Sequence, residues 1–187
     1  MKRFLGLFAC AMLAAPLFAQ DKVYLAGPIV PLVPFERAIS SKDPKLQANK
    51  KLVSDFLRTV FKGRRIEEAS RFLAPGYTTH FAMVTEQGLK GFMDYWGPLA
   101  RNPKPVPDTV DNLVQLIAEG DIVVAPEITR NKDAKGEIYT AVLFDMFRIE
   151  NGKIVEHWDS SRRPNSTIVF DFDESSGRAV PKPTASQ

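Results

Sequence analysis

The stretch YTAVLFDMFRIENGKIVEHWDS, residues 139–160, decides how this chain is read. Two runs of β-branched and aromatic residues flank Asn151-Gly152, a pair that favours the positive φ of a tight hairpin turn. Inside those apolar runs sit Asp145, His157 and Asp159. An unpaired buried carboxylate costs several kcal/mol, so such groups find partners, reach solvent or line a cavity. The loop type sets which of them meet. A three-residue loop, Glu150–Gly152, with Gly152 left-handed, puts Asp145 opposite His157 and Leu143 opposite Asp159. Asp145, His157 and Asp159 then share one surface, with Met146, Ile154 and Trp158 on the other. A two-residue loop shifts the register by one and puts Asp145 opposite Trp158. The three-residue loop is the preferred expectation, because it pairs acid with imidazole.

Outward from this hairpin the periodicity divides the chain in two. Residues 21–41 carry Pro28, Pro31 and Pro34 among aliphatic residues and read as an extended arm that packs on something, a partner subunit being one option. Asp43-Pro44 reads as an N-cap and first turn, and apolar residues at helical spacing run from Leu46 to Phe61, with Gly63 as the stop. A short helix over about 66–73, a strand or extended turn at Tyr77–Phe81 and a helix from about Thr85 or Glu86 to Tyr95 follow. After a proline-rich connection at 102–108, residues 109–119, 122–130, 137–149 and 153–163 read as strands, with 167–172 as a last edge strand. Helices first and an antiparallel meander second predict an α+β domain, helices on one face of a curved sheet, over residues 44–173. Residues 174–187 read as a loose tail.

The N-terminus predicts export. Lys2-Arg3 precedes an apolar run from Phe4 to Leu17, and Leu17-Phe18-Ala19 offers a cleavage site before Gln20. The run is too short to favour a membrane span. Cleavage leaves 187 − 19 = 168 residues and removes Cys10, the only cysteine. The mature chain then has no disulfide, thiolate nucleophile or thiolate metal site. Its charge falls to about +1, from 25 − 2 = 23 basic residues against 22 acidic. With no basic stripe interleaved with aromatics, nucleic acid is not an expected partner, nor is a membrane after cleavage.

Three segments carry a family resemblance: Tyr77-Thr78-Thr79-His80, Gly120-Asp121-Ile122-Val123, and Phe144–Arg148 followed by Asn151–Asp159. Over about residues 45–163 the chain resembles the SnoaL-like proteins of the NTF2-like, cystatin-like cone superfamily. The resemblance implies a cone-shaped sheet around one pocket, cofactor-independent polyketide-cyclase-like or isomerase-like proton transfer beside a carbonyl, and a homodimer. It implies catalytic Asp145, His157 and His80, with Asp159, Tyr77, Trp96, Trp158 and Phe92 at a small apolar substrate, and neither metal nor cofactor. His80 is followed by Phe81-Ala82 where many relatives have Asn-Pro, and Val124–Glu127 stands where relatives often place a His.

Each feature also has a plainer reading. His157 with Asp159 can fix strand register, His80 can cap a strand end, and Phe92, Trp96 and Trp158 can be core. Arg148 is expected to face out or pair with Glu156, and Lys62, Arg64 and Arg65 to sit at a helix C-terminus, where cations suit the dipole. A non-catalytic exported binding protein and a dimeric interaction module on the same fold are the alternatives to an enzyme.

Overall fold

The computed structural model describes residues 29–132, 135–161, 170–173 and 178–181. The signal-peptide and cleavage expectations lie outside these residues. The arm is not wholly extended: one helical turn, α1 (Phe35–Ala38), follows Pro34 and buries Ala38. Val30 and Leu32 stay exposed, although the Leu32 amide donates to the Val114 carbonyl.

Helix α2 (Pro44–Phe56) starts where the N-cap signal placed it, the Asp43 carboxylate accepting from the amides of Lys45 and Leu46. It continues as a π-helical segment over Leu57–Lys62, closed by an i→i−5 bond from the Gly63 amide to the Arg58 carbonyl. A 3₁₀ segment (Ile66–Arg71) leads into strand β1 (Leu73–Thr79), which begins earlier than the sequence suggested and runs through Pro75-Gly76. Helix α3 (Gly88–Trp96) and a 3₁₀ turn (Gly97–Arg101) complete the helical half.

Four more strands build the main sheet: β2 (Ile117–Glu119), β3 (Ile122–Lys132), β4 (Ile138–Glu150) and β5 (Lys153–Asp159), in the order β1-β5-β4-β3-β2. The expected strand 109–119 is regular only at its end. Its middle still follows β3, through a Leu113–Glu127 bridge and amides of Val114 and Ile128 bonded to the carbonyls of Pro126 and Asn112. β6 (Phe170–Asp173) is not an edge of the main sheet. It pairs with β7 (Arg178–Pro181), formed from what reads as a tail.

The β4–β5 hairpin differs from both expected registers. Glu150 pairs with Lys153, so the loop is the two-residue Asn151-Gly152, both residues at positive φ (49° and 70°). Ile149 pairs with Ile154 but Arg148 with Glu156, so Val155 is an extra residue, a β-bulge. Beyond it Phe147 faces His157, Met146 faces Trp158 and Asp145 faces Asp159. The bulge reverses the side-chain phase. Ile154, set opposite buried Ile149 by the two-residue turn, points into the core rather than outward with Trp158 as expected, and the bulge beyond it puts Asp145, His157 and Asp159 on the same inner face.

The core lies between α2, α3 and the inner face of the sheet. Phe56 is its hub, with ring centroids 5.4–6.0 Å from those of Phe61, Phe72, Phe92 and Phe147. The hairpin turn gives a clean test of backbone cost. A Cβ at Gly152 meets nothing within 4 Å, so Gly152→Ala loses only on its left-handed φ, about 1–2 kcal/mol, read as a lower Tm. Gly97→Ala, equally unobstructed but at helical φ (−47°), should leave Tm unchanged or raise it.

Candidate functional site

Where the helices stop short of the sheet, a cavity of about 400 Å³ opens between them. The π-helical segment shapes its helical wall. In an α-helix, residues five apart diverge by about 140°, but the i→i+5 pattern stacks them. Phe56 with Phe61, and Leu57 with Lys62, therefore reach the same cavity. Lys62 is thus not the solvated helix-end cation the sequence suggested. Phe92 and Trp96 of α3 extend this wall, with Phe81 stacked on Trp96 (5.7 Å, 10° between planes).

The sheet wall carries the polar groups. Asp145 is 9 % exposed and has its usual acidity weakened: desolvation pushes its pKa up, against the opposing hydrogen bond and charge of His157. Glu127 and Asp159 push it further the same way. Asp145 Oδ1 lies 3.0 Å from His157 Nε2, a diagonal contact, because Asp145 directly opposes Asp159. The other imidazole nitrogen, Nδ1, lies 3.0 Å from Thr79 Oγ1. Thr79 Oγ1 already accepts from the Phe81 amide, so its own proton is free for Nδ1. In that arrangement Nδ1 accepts from Thr79 and Nε2–H donates to the carboxylate. Phe147 stacks on the ring (4.9 Å, 27°) and fixes its plane. Gln87 clasps Thr79 by its backbone, accepting from its amide and donating to its carbonyl. Asp159 Oδ1 accepts from the amide and hydroxyl of Ser161. Tyr77 is buried nearby, and burial raises its phenol pKa well beyond the ordinary range.

Asp145, His157, Asp159, Tyr77, Trp96 and Phe92 thus surround one cavity. His80 and Trp158 do not. They stack on each other (5.2 Å, 9°) outside the cavity lining, and His80 Nε2 lies 2.8 Å from Glu156 Oε1. The bulge sets this division, since residues 156 and 158 fall in the opposite phase from 157 and 159. Arg148 pairs with Glu156, as expected.

The sequence reading missed Glu127, Lys62, Asn112 and Thr79. Glu127 carried the same signal as Asp145, an acid inside an apolar strand (IVVAPEIT). Asn112 and Lys62 had no such signal. For metal chemistry, Asp145, His157 and Asp159 can each offer one ligand atom within 4.8 Å of the others. Their hydrogen bonds to one another and to Ser161 would first have to open.

A SnoaL-like domain model matches residues 53–157, more than half of the chain. The chain belongs to the SnoaL-like family. No curated protein matches it. Among solved structures it is similar to a candidate polyketide cyclase from Acidithiobacillus ferrooxidans (19 % identity, TM-score 0.47, 62 % of this chain and 89 % of that one). It is also similar to IdmH of Streptomyces antibioticus, another candidate polyketide cyclase (19 %, TM-score 0.45, 59 % and 89 %). TsrD of Streptomyces laurentii aligns at 25 % identity and TM-score 0.42, over 64 % and 90 %.

A raised carboxylate pKa fixes a sign for stability. The folded chain holds the Asp145 proton more tightly than the unfolded chain, so the ionised group lowers stability above its folded pKa. That loss vanishes below the unfolded value, about 3.9. Asp145→Asn, whose amide oxygen can still accept from His157, should match or exceed the wild-type Tm at pH 7. The gain should shrink as pH falls towards 3.5; a variant less stable at pH 7 by a margin independent of pH would contradict this.

Proposed function

We propose that this SnoaL-like protein binds a small, mainly apolar carbonyl compound and moves a proton beside the carbonyl. Asp145 is the base and His157 its orienting partner. The observation that carries the reading is a desolvated carboxylate, bonded to an imidazole, at the wall of an otherwise aromatic cavity. Desolvation strengthens a carboxylate as a base towards a C–H acid, at the cost of needing a higher pH to ionise. Thr79 holds the tautomer, leaving Nε2–H to steady Asp145. Asp159 and Tyr77 supply polarity at the same end, and Phe92, Trp96 and Phe81 shape the apolar remainder. A cavity of about 400 Å³ falls within the usual range for small-molecule sites, about 300–1,000 Å³. A non-catalytic carrier would use the same cavity without needing Asp145 ionised.

2-Tetralone, an apolar ketone with acidic α-hydrogens, tests this. Deuterium exchange at its α-carbons, followed by NMR, should be accelerated by the protein. The acid limb of the rate profile should lie above the ordinary aspartate range, in the direction of the Asp145 shift. Asp145→Asn should lose about 10²–10⁴-fold. Exchange equal to buffer, or unchanged in the variant, would leave only binding.

The chain is also proposed to be exported and to pair as a homodimer through the outer face of the sheet. Lys2-Arg3 before an apolar run supports export. Exposed Phe144 and Ile138, in the outward phase of β4, support the pairing. Native mass spectrometry of protein from an extracytoplasmic fraction should find two copies of a chain shortened by about 19 residues; a full-length chain or a monomer would reject the corresponding part.

A further inference from the structure

A second polar group lies in the same cavity, away from the Asp145–His157 pair. Glu127 on β3 is 8 % exposed, yet it lines an aromatic cavity. Lys62 Nζ donates to its Oε2 at 3.0 Å, and Asn112 Nδ2 donates to the same oxygen at 2.8 Å. Asn112 also donates to the Ile128 carbonyl, so its amide is anchored on both sides. Both donors converge on Oε2. Among the described residues Oε1 receives no hydrogen bond. Oε1 is not among the sealed, unpartnered polar atoms, so it is open to whatever occupies the cavity. The ammonium of Lys62 has three hydrogens and spends one on Glu127.

We infer that Lys62 and Glu127 form a subsite for a hydroxyl group of the ligand, Lys62 donating to its oxygen and Glu127 Oε1 accepting its proton. This deepens the function proposed above and rests on it. A hydroxyl satisfies both open valences at once. An ether satisfies only the lysine, and a carboxylate would meet Glu127 as a like charge. The pair is close to neutral overall, which also disfavours a site for a bare anion. Register sets the position of the subsite. Ala125 opposes Asp145 and Glu127 opposes Leu143, so Glu127 and Asp145 are diagonal neighbours on one face, about 7–8 Å apart. A ligand that meets both residues must therefore bridge diagonal neighbours on the sheet, as a fused two-ring skeleton with its carbonyl at one end and its hydroxyl at the other can. The π-helical segment serves this subsite, since it turns Lys62 to the same side as Leu57.

Three ketones of one skeleton separate the possibilities: 6-hydroxy-2-tetralone, 6-methoxy-2-tetralone and 2-tetralone. By titration calorimetry the hydroxy compound should bind the wild-type chain at least about tenfold more tightly than either other, because a site built for a hydroxyl leaves its own groups unpaired against the analogues. In a Lys62→Met, Glu127→Met double variant the ratio should fall to about one. Replacing both members of an ion pair with apolar side chains of similar size is usually tolerated by the fold, and a thermal melt verifies it. Lys62→Met alone should reduce the ratio at least threefold. Equal affinity for all three compounds in the wild type, or a ratio that survives in the double variant, overturns the hydroxyl subsite and leaves the apolar site standing. Failure of all three to bind overturns both.

Discussion

A single extra residue, Val155, determines the chemistry of this cavity. The two-residue turn at Asn151-Gly152 alone would place Trp158 opposite Asp145 and send His157 and Asp159 out to the far face. The bulge shifts the strand by one and reverses that assignment. His157 then reaches Asp145 on the inner face, the side that Ile154 already occupies before the bulge. β5 is also the bridge between β1 and β4, so the same residue brings Thr79 to the second imidazole nitrogen. Local disruption of a ladder to aim a side chain is a recurrent use of bulges next to functional sites.

The cavity holds its charges unevenly. Asp145 and Glu127 are both carboxylates on adjacent strands, and each raises the cost of ionising a group in that wall. Glu127 is bonded by an ammonium and an amide, whereas Asp145 has one imidazole and an opposing Asp159. Burial weakens the acidity of Asp145, which marks it as the functional candidate of the two. Stability is lowered at Asp145, and the aromatic cluster around Phe56 supplies the burial that offsets it.

Much of this was legible in the chain. Asp43-Pro44, the helical stripe to Phe61 and the Asn151-Gly152 turn each have a local cause and fall where expected. Polar residues inside apolar strands marked Asp145, His157 and Asp159. Glu127 was equally visible and went unread. The two-versus-three-residue loop was not decidable, because both turns suit Glu150-Asn151-Gly152, and nothing in KIVEHWD announces a bulge. His80 and Trp158 looked like pocket residues by type, but Trp158 falls in the outward phase of β5 and His80, just past the end of β1, stacks on it.

Sequence alone therefore determined the long helix after Asp43, the central strands and their order, and the presence of acids that an apolar strand must accommodate, because periodicity, capping and turn preference act over a few residues. Only the tertiary structure decided which acids share a cavity and what each one touches. Those contacts join residues 62, 79, 112, 127, 145 and 157, from six separate segments. They depend on strand register and on a widened helical turn, and a shift of one residue in either exchanges inside for outside.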